Sequence, residues 1–193
     1  MTDVVLTHGF LLDEDPVEQE VMRLYPPLGI LYLAAYLKAR GVGVRVLDPT
    51  FMTRQETETE LAAGPPTVVG ISTTHVTRPA VVRLVAAARA GGHVVVVGGP
   101  DSGSYPDRYL DAGSDVVVLG EGEETLLEVV RVLEREGRAG LARVRGLCFR
   151  DGDGRLVTTE ARGSGVEILP VDSEHNAIHQ ALRVGPAGSV RRL

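Results

Sequence analysis

Two runs of valine end in glycine: Val94-Val95-Val96-Val97-Gly98-Gly99-Pro100 and Val116-Val117-Val118-Leu119-Gly120-Glu121-Gly122-Glu123. A continuous apolar run of this length describes a strand buried on both faces, and such strands belong to parallel sheets covered by helices. Glycine at the strand exit permits φ > 0 and removes the Cβ that would hold a ligand away. Open α/β sheets bind ligands at the carboxyl ends of their strands. Two glycine-ended exits in one stretch therefore point to an extended ligand lying across the top of a sheet.

The remaining chain supplies matching elements. Strand-like segments recur at 4–7, 44–47, 67–72, 93–97 and 115–119. Residues 30–40 repeat Leu33, Ala34 and Leu37 at helical spacing and stop at Gly41. Pro79 suits the first turn of a helix through Arg89, a short helix follows near 105–112, and a longer one spans 123–136. Residues 10–25 read as an acidic connector. This alternation predicts an α/β fold, doubly wound and flavodoxin- or Rossmann-like, with a parallel five-stranded sheet and helices on both faces.

After Gly140 the pattern changes. Residues 144–150 and 155–159 flank Asp151-Gly152-Asp153-Gly154, a β-hairpin signal, and the hairpin is expected to pack on the sheet edge. The expected division is 1–142 for the Rossmann-like domain, 143–160 for the hairpin and 161–193 for a weakly ordered tail without periodicity.

Composition narrows the function. Twenty Lys and Arg against 26 Asp and Glu give a net charge of −6, which offers no electrostatic footprint for nucleic acid. The apolar runs are strand length, far below the roughly 20 residues of a membrane span. No charged, apolar leader opens the sequence, so a cytoplasmic location is expected. The single cysteine, Cys148, allows no internal disulfide and no cysteine-based metal cluster, and reads as a small core residue.

The strand exits exclude several ligands. No G-x-x-x-x-G-K-[ST] phosphate loop is present. Gly120-Glu121-Gly122-Glu123-Glu124-Thr125 has two glycines of a dinucleotide fingerprint but lacks the third, and its carboxylates would repel a pyrophosphate. Ser72-Thr73-Thr74 stands where a phosphoacceptor domain would carry Asp, and no G-x-S-x-G elbow exists. What remains is a ligand suited to hydroxyls, backbone amides and acceptor oxygens, a description that amide-fringed corrin rings meet. His8 and His75 sit at strand exits and are candidate axial metal ligands through imidazole nitrogen. His93 lies at a strand entrance, on the wrong edge, while His175 and His179 share i, i+4 spacing without a convincing helix.

A set of motifs then appears in order: Pro26-Pro27-Leu28-Gly29-Ile30-Leu31-Tyr32-Leu33-Ala34-Ala35-Tyr36-Leu37, Val69-Gly70-Ile71-Ser72, Val97-Gly98-Gly99-Pro100, Gly120-Glu121-Gly122-Glu123 and Gly146-Leu147-Cys148-Phe149-Arg150. Together they resemble the N-terminal cobalamin-binding domain of cobalamin-dependent radical SAM enzymes, over about residues 1–160. The resemblance implies a cobalamin cofactor held against the sheet top. Its contacts would come from Pro27, Leu28, Gly29, Ser72, Thr73, Thr74, Gly98, Gly99, Pro100, Gly120, Glu121, Gly122 and Glu123. The nucleotide arm would run down near Gly98, Gly99 and the 72–74 exit.

Two departures limit what this resemblance implies. One cysteine cannot build the C-x-x-x-C-x-x-C iron–sulfur site of the full-length family, so no [4Fe–4S] cluster and no complete catalytic site are expected here. The D-x-H-x-x-G signature of another cobalamin-domain type is also missing: Leu6 and Leu11 replace its Asp and Gly around His8. The expected function is a cobalamin-binding module, stand-alone or truncated, presenting a corrinoid such as methylcobalamin to a separate radical SAM protein or domain. The alternative is an independent doubly wound enzyme using a nucleotide or sugar-nucleotide.

Overall fold

A computed structural model of the chain describes residues 4–22 and 24–162. The tail expected from 161 onward, with His175 and His179, lies almost entirely outside the described residues. In chain order the elements are β1 (Val4–His8), α1 (Pro16–Val21), α2 (Leu28–Lys38), β2 (Val44–Val46), α3 (Arg54–Ala62), β3 (Val68–Ser72) and α4 (Arg78–Ala90). They continue with β4 (Val94–Gly98), α5 (Pro106–Asp111), β5 (Val116–Val118), α6 (Gly122–Glu136), β6 (Leu147–Arg150) and β7 (Leu156–Thr158).

The strands form one sheet of order β2-β1-β3-β4-β5-β6-β7. The first five run parallel. The expected hairpin lies at the sheet edge and continues the sheet by hydrogen bonding: β6 pairs antiparallel with β5, and β7 with β6. The sheet is therefore mixed and seven-stranded among the described residues, with five parallel strands from the β2 edge and the antiparallel hairpin at the other edge. Cys148 sits on β6 opposite Val117 and is 1% exposed, a core residue.

Strand alternation sends side chains to two layers. Val4, Leu6, Val68, Val96, Val116 and Val118 pack beneath α2 and α6. Val5, Val69, Ile71, Val95, Val97 and Val117 pack against α3, α4 and α5. The crossovers through β3, β4 and β5 thus place α4 and α5 on the far face. Among the described residues, α2 and α6 are the helices that flank the carboxyl ends of those strands on the near face, and they leave a slot between them.

Two helices escaped the apolar pattern. In α3 only Thr57 and Leu61 are buried, so its sequence shows no hydrophobic stripe. Its signal is the Thr53–Glu56 capping box, in which each residue's side chain satisfies the other's backbone N–H. Inside the acidic connector, Asp15 caps α1 by accepting from the N–H of Val17 and Glu18, with Pro16 at the first helical position. The connector is tied down further by the Glu14–Arg83 ion pair and by the Leu12 N–H, which donates to the Thr50 carbonyl at 3.0 Å.

Candidate functional site

A cavity of about 540 Å³ opens between α2, α6 and the carboxyl ends of the central strands. Its floor is Leu6, Gly70, Val96 and Val118, from β1, β3, β4 and β5. Ile30 and Leu33 of α2 and Leu126 of α6 form its apolar flanks. The rim is Gly29, Ser72, Gly98, Gly99, Pro100, Gly103, Gly120, Glu121, Gly122 and Glu123.

Two glycines shape this space. A Cβ on Gly70 would lie 2.7 Å from Leu6 Cδ2 and 3.7 Å from Leu126 Cδ2, both on the cavity wall, so the missing side chain keeps the floor open. Gly99 has φ +108°, and a Cβ there would come within 2.4 Å of the Thr73 carbonyl oxygen and 3.0 Å of its nitrogen. Only glycine lets the β4 exit lie against the β3 exit.

Glu121 and Glu123 are the only charged residues on the cavity wall among the described residues. The N-caps of α2 and α6, Pro27 and Glu121, provide no side-chain acceptor to their first turns. Gly29, Ile30, Gly122 and Glu123 of those turns all touch the cavity. Both helices therefore bring backbone N–H groups and the positive ends of their dipoles to its edge. Glu124 is drawn away by an ion pair with Arg162, which also pairs with Glu128.

Of the residues expected at the cofactor, Gly29, Ser72, Gly98, Gly99, Pro100 and the four residues 120–123 come together on this wall. Pro27 caps α2, and Leu28 is 71% exposed beside it. Thr73 is fully buried, with its hydroxyl 3.0 Å from the Tyr109 hydroxyl on the far face. Thr74 forms an exposed turn, its N–H donating to Thr77 Oγ1 at 2.9 Å. Several wall residues lie outside the expected set; among them the floor residues Leu6, Gly70, Val96 and Val118 follow from strand alternation carried inward from Ser72 and Gly98.

The two candidate metal ligands differ. His8 Nδ1 accepts from the Phe10 N–H at 3.2 Å, so Nε2 carries the proton and donates to Asp48 Oδ1 at 3.1 Å. Burial lowers the His8 pKa against the pull of Asp48, which keeps the ring neutral. Both nitrogens are thus engaged. His75 is 82% exposed at its side chain, and its Nδ1 accepts from Arg78 Nη2 at 3.1 Å. His93 is buried at the opposite edge, its Nδ1 accepting from the Thr67 N–H at 3.1 Å. No group of three or more His, Cys, Asp or Glu able to hold a metal occurs among the described residues. No described helix is long and apolar enough to cross a membrane.

A parallel sheet of order 2-1-3-4-5 with a glycine-lined cavity at its carboxyl end defines a doubly wound cofactor-binding domain. Residues 17–130, more than half of the chain, match the B12 binding domain family, and the chain belongs to that family. It is a cobalamin-binding module. The chain is 37% identical over 122 residues to an uncharacterized methyltransferase, sll1242, of Synechocystis, covering 63% of this chain and 22% of that protein. It is also 36% identical over 77 residues to 1-deoxy-D-xylulose 5-phosphate reductoisomerase of Chlamydia trachomatis, covering 40% of this chain and 20% of that enzyme. The chain thus spans about a fifth of the length of these curated relatives. The cobalamin-dependent S-adenosylmethionine radical enzyme OxsB, solved with aqua-cobalamin and S-adenosylmethionine bound, shares the fold with a TM-score of 0.65 at 20% identity. That likeness covers 83% of this chain and 22% of OxsB.

Proposed function

We propose that the domain seats the nucleotide arm of cobalamin in the cavity beneath α2 and α6 and presents the corrinoid to a separate radical SAM-type catalytic domain. The observation that carries this reading is the cavity itself. It is apolar at its floor, kept open by Gly70, and lies where doubly wound domains bind ligands. Its volume of about 540 Å³ suits a small-molecule arm. Leu6, Ile30, Leu33, Val96, Val118 and Leu126 would enclose a flat base, while Ser72 and the helix N-termini would meet its sugar and phosphate. Glu121 and Glu123 would accept hydrogen bonds from corrin amides. When bound, cobalamin supplies a cobalt centre able to carry a methyl group. The names of the methyltransferase relative and of OxsB support a partner of that chemistry.

Titration of the apo protein with hydroxocobalamin, followed by desalting and absorbance, tests the reading. A retained chromophore is expected, and its loss on desalting refutes it. A nucleotide that raises the melting temperature where cobalamin does not would favour an independent nucleotide-using enzyme instead. Of the two histidines, His75 has a nitrogen outside the hydrogen bonds described above, so His75→Ala tests protein ligation of cobalt. A changed spectrum assigns it, and an unchanged one removes it.

A further inference from the structure

Behind the cavity wall lies a buried polar network that packing alone does not require. Asp101 is 5% exposed and accepts from Arg78 Nε at 2.7 Å and Arg78 Nη2 at 2.5 Å. Tyr109, fully buried, donates to Asp101 Oδ2 at 2.5 Å and shares a hydrogen bond with Thr73 Oγ1. The Arg78 guanidinium also lies over the Tyr105 ring, 4.2 Å from its centroid. His75 Nδ1 stands 3.7 Å from Asp101 Oδ1. Hydrogen bonding from Arg78, then from Tyr109, holds the Asp101 carboxyl at about 2.

The network joins two turns that also build the cavity. Thr73 belongs to the turn after β3, Arg78 opens α4 at the end of that turn, and Asp101 lies in the turn after β4. Along the second segment the roles alternate: Gly99 and Pro100 face the cavity, Asp101 and Ser102 are buried, and Gly103 faces the cavity again. The turns touch directly, since the Thr73 N–H donates to the Gly98 carbonyl at 2.8 Å. Ser102 Oγ donates to the Gly99 carbonyl at 3.0 Å. A buried ion pair adds little net stability compared with apolar packing, but it admits few geometries.

Resting on the cofactor reading above, we infer that Arg78, Asp101, Tyr109 and Thr73 are positioning residues that preset Ser72 and the 98–103 segment for the ligand. They touch no ligand themselves. They remove the ordering cost that binding would otherwise carry.

Asp101→Asn and Tyr109→Phe test the inference, with Glu60→Gln, an exposed partner of Arg45 near the opposite edge, as control. Each full-length apo protein is titrated with hydroxocobalamin well below its melting temperature. Amide hydrogen exchange is read separately at 98–105 and at β4. Asp101→Asn should weaken binding about tenfold, the scale at which orienting partners act, and accelerate exchange at 98–105 while β4 stays protected. Tyr109→Phe should do the same more weakly, and Glu60→Gln should change neither. Binding within twofold of wild type in both folded variants, or unchanged exchange at 98–105, overturns the inference. So does loss of the fold in both, which would make the network a stability element. Failure of the wild type to bind cobalamin refutes the cofactor reading instead, and exchange at 98–105 then decides alone whether the network holds the turns.

Discussion

Gly70→Ala separates the shape of the cavity from the stability of the fold. The added methyl would lie 2.7 Å from Leu6 Cδ2, the end of a flexible side chain bordering open space. In the apo protein Leu6 can move into the cavity. Alanine also relieves the entropic penalty of glycine within a strand, roughly 0.5–1 kcal/mol. The two effects nearly cancel, so the apo melting temperature should stay within about 3 °C of wild type. With the arm bound, Leu6 has nowhere to go. Overpacking then costs about 1–3 kcal/mol, or roughly 5- to 150-fold in Kd at 1.4 kcal/mol per tenfold. Differential scanning fluorimetry of the apo protein and an absorbance titration with hydroxocobalamin measure the two quantities. A folded Gly70→Ala protein that binds cobalamin as tightly as wild type would show that the arm does not occupy this floor. A fall of more than about 10 °C in the apo melting temperature would show that Leu6 cannot yield.

Other outcomes follow from the same geometry. Gly99→Ala should lower the melting temperature by about 5–15 °C, because its φ of +108° and the 2.4 Å approach to the Thr73 oxygen combine left-handed strain with a backbone clash; a shift under 2 °C refutes this. In acid, His8 titrates before the carboxylates of Asp48, Glu56 and Asp101, whose folded pKa values are also lowered. The contribution of neutral His8 is complete above about 6.5 and is lost as pH falls through its depressed folded value. That of Asp101 persists to about 4 and is lost toward about 2. His8→Gln should therefore flatten the denaturant-midpoint profile just below pH 6.5; a variant that keeps the wild-type slope there refutes this. Cys148, 1% exposed, should resist a thiol reagent in the native protein and react fully in denaturant; rapid native labelling would contradict its burial.

The parallel core was legible because Val94–Gly98 and Val116–Val118 carry little but valine, which suits a strand buried on both faces. The helix α3 was not legible from apolar spacing, because its polar surface leaves only Thr57 and Leu61 to pack. The cavity rim was readable at Gly98, Gly99 and residues 120–123, where glycine interrupts the pattern. Thr73 reads as a ligand contact only if exits are taken as uniform. The pleat that turns Ser72 to the near face turns Thr73 to the far one, where Tyr109 receives it. The Arg78–Asp101 pair, 23 residues apart in sequence, leaves no local trace and emerges only when two strand exits become neighbours.

The carboxylates at the cavity mouth also bear on competition inside a cell. Free nucleoside triphosphates are abundant and carry several negative charges. A wall with Glu121 and Glu123, and with neither lysine nor arginine among its described residues, repels them more strongly than it repels a single phosphodiester. On the cofactor reading proposed above, these carboxylates would disfavour polyanions at the mouth, while the N-termini of α2 and α6 would still meet a single phosphodiester.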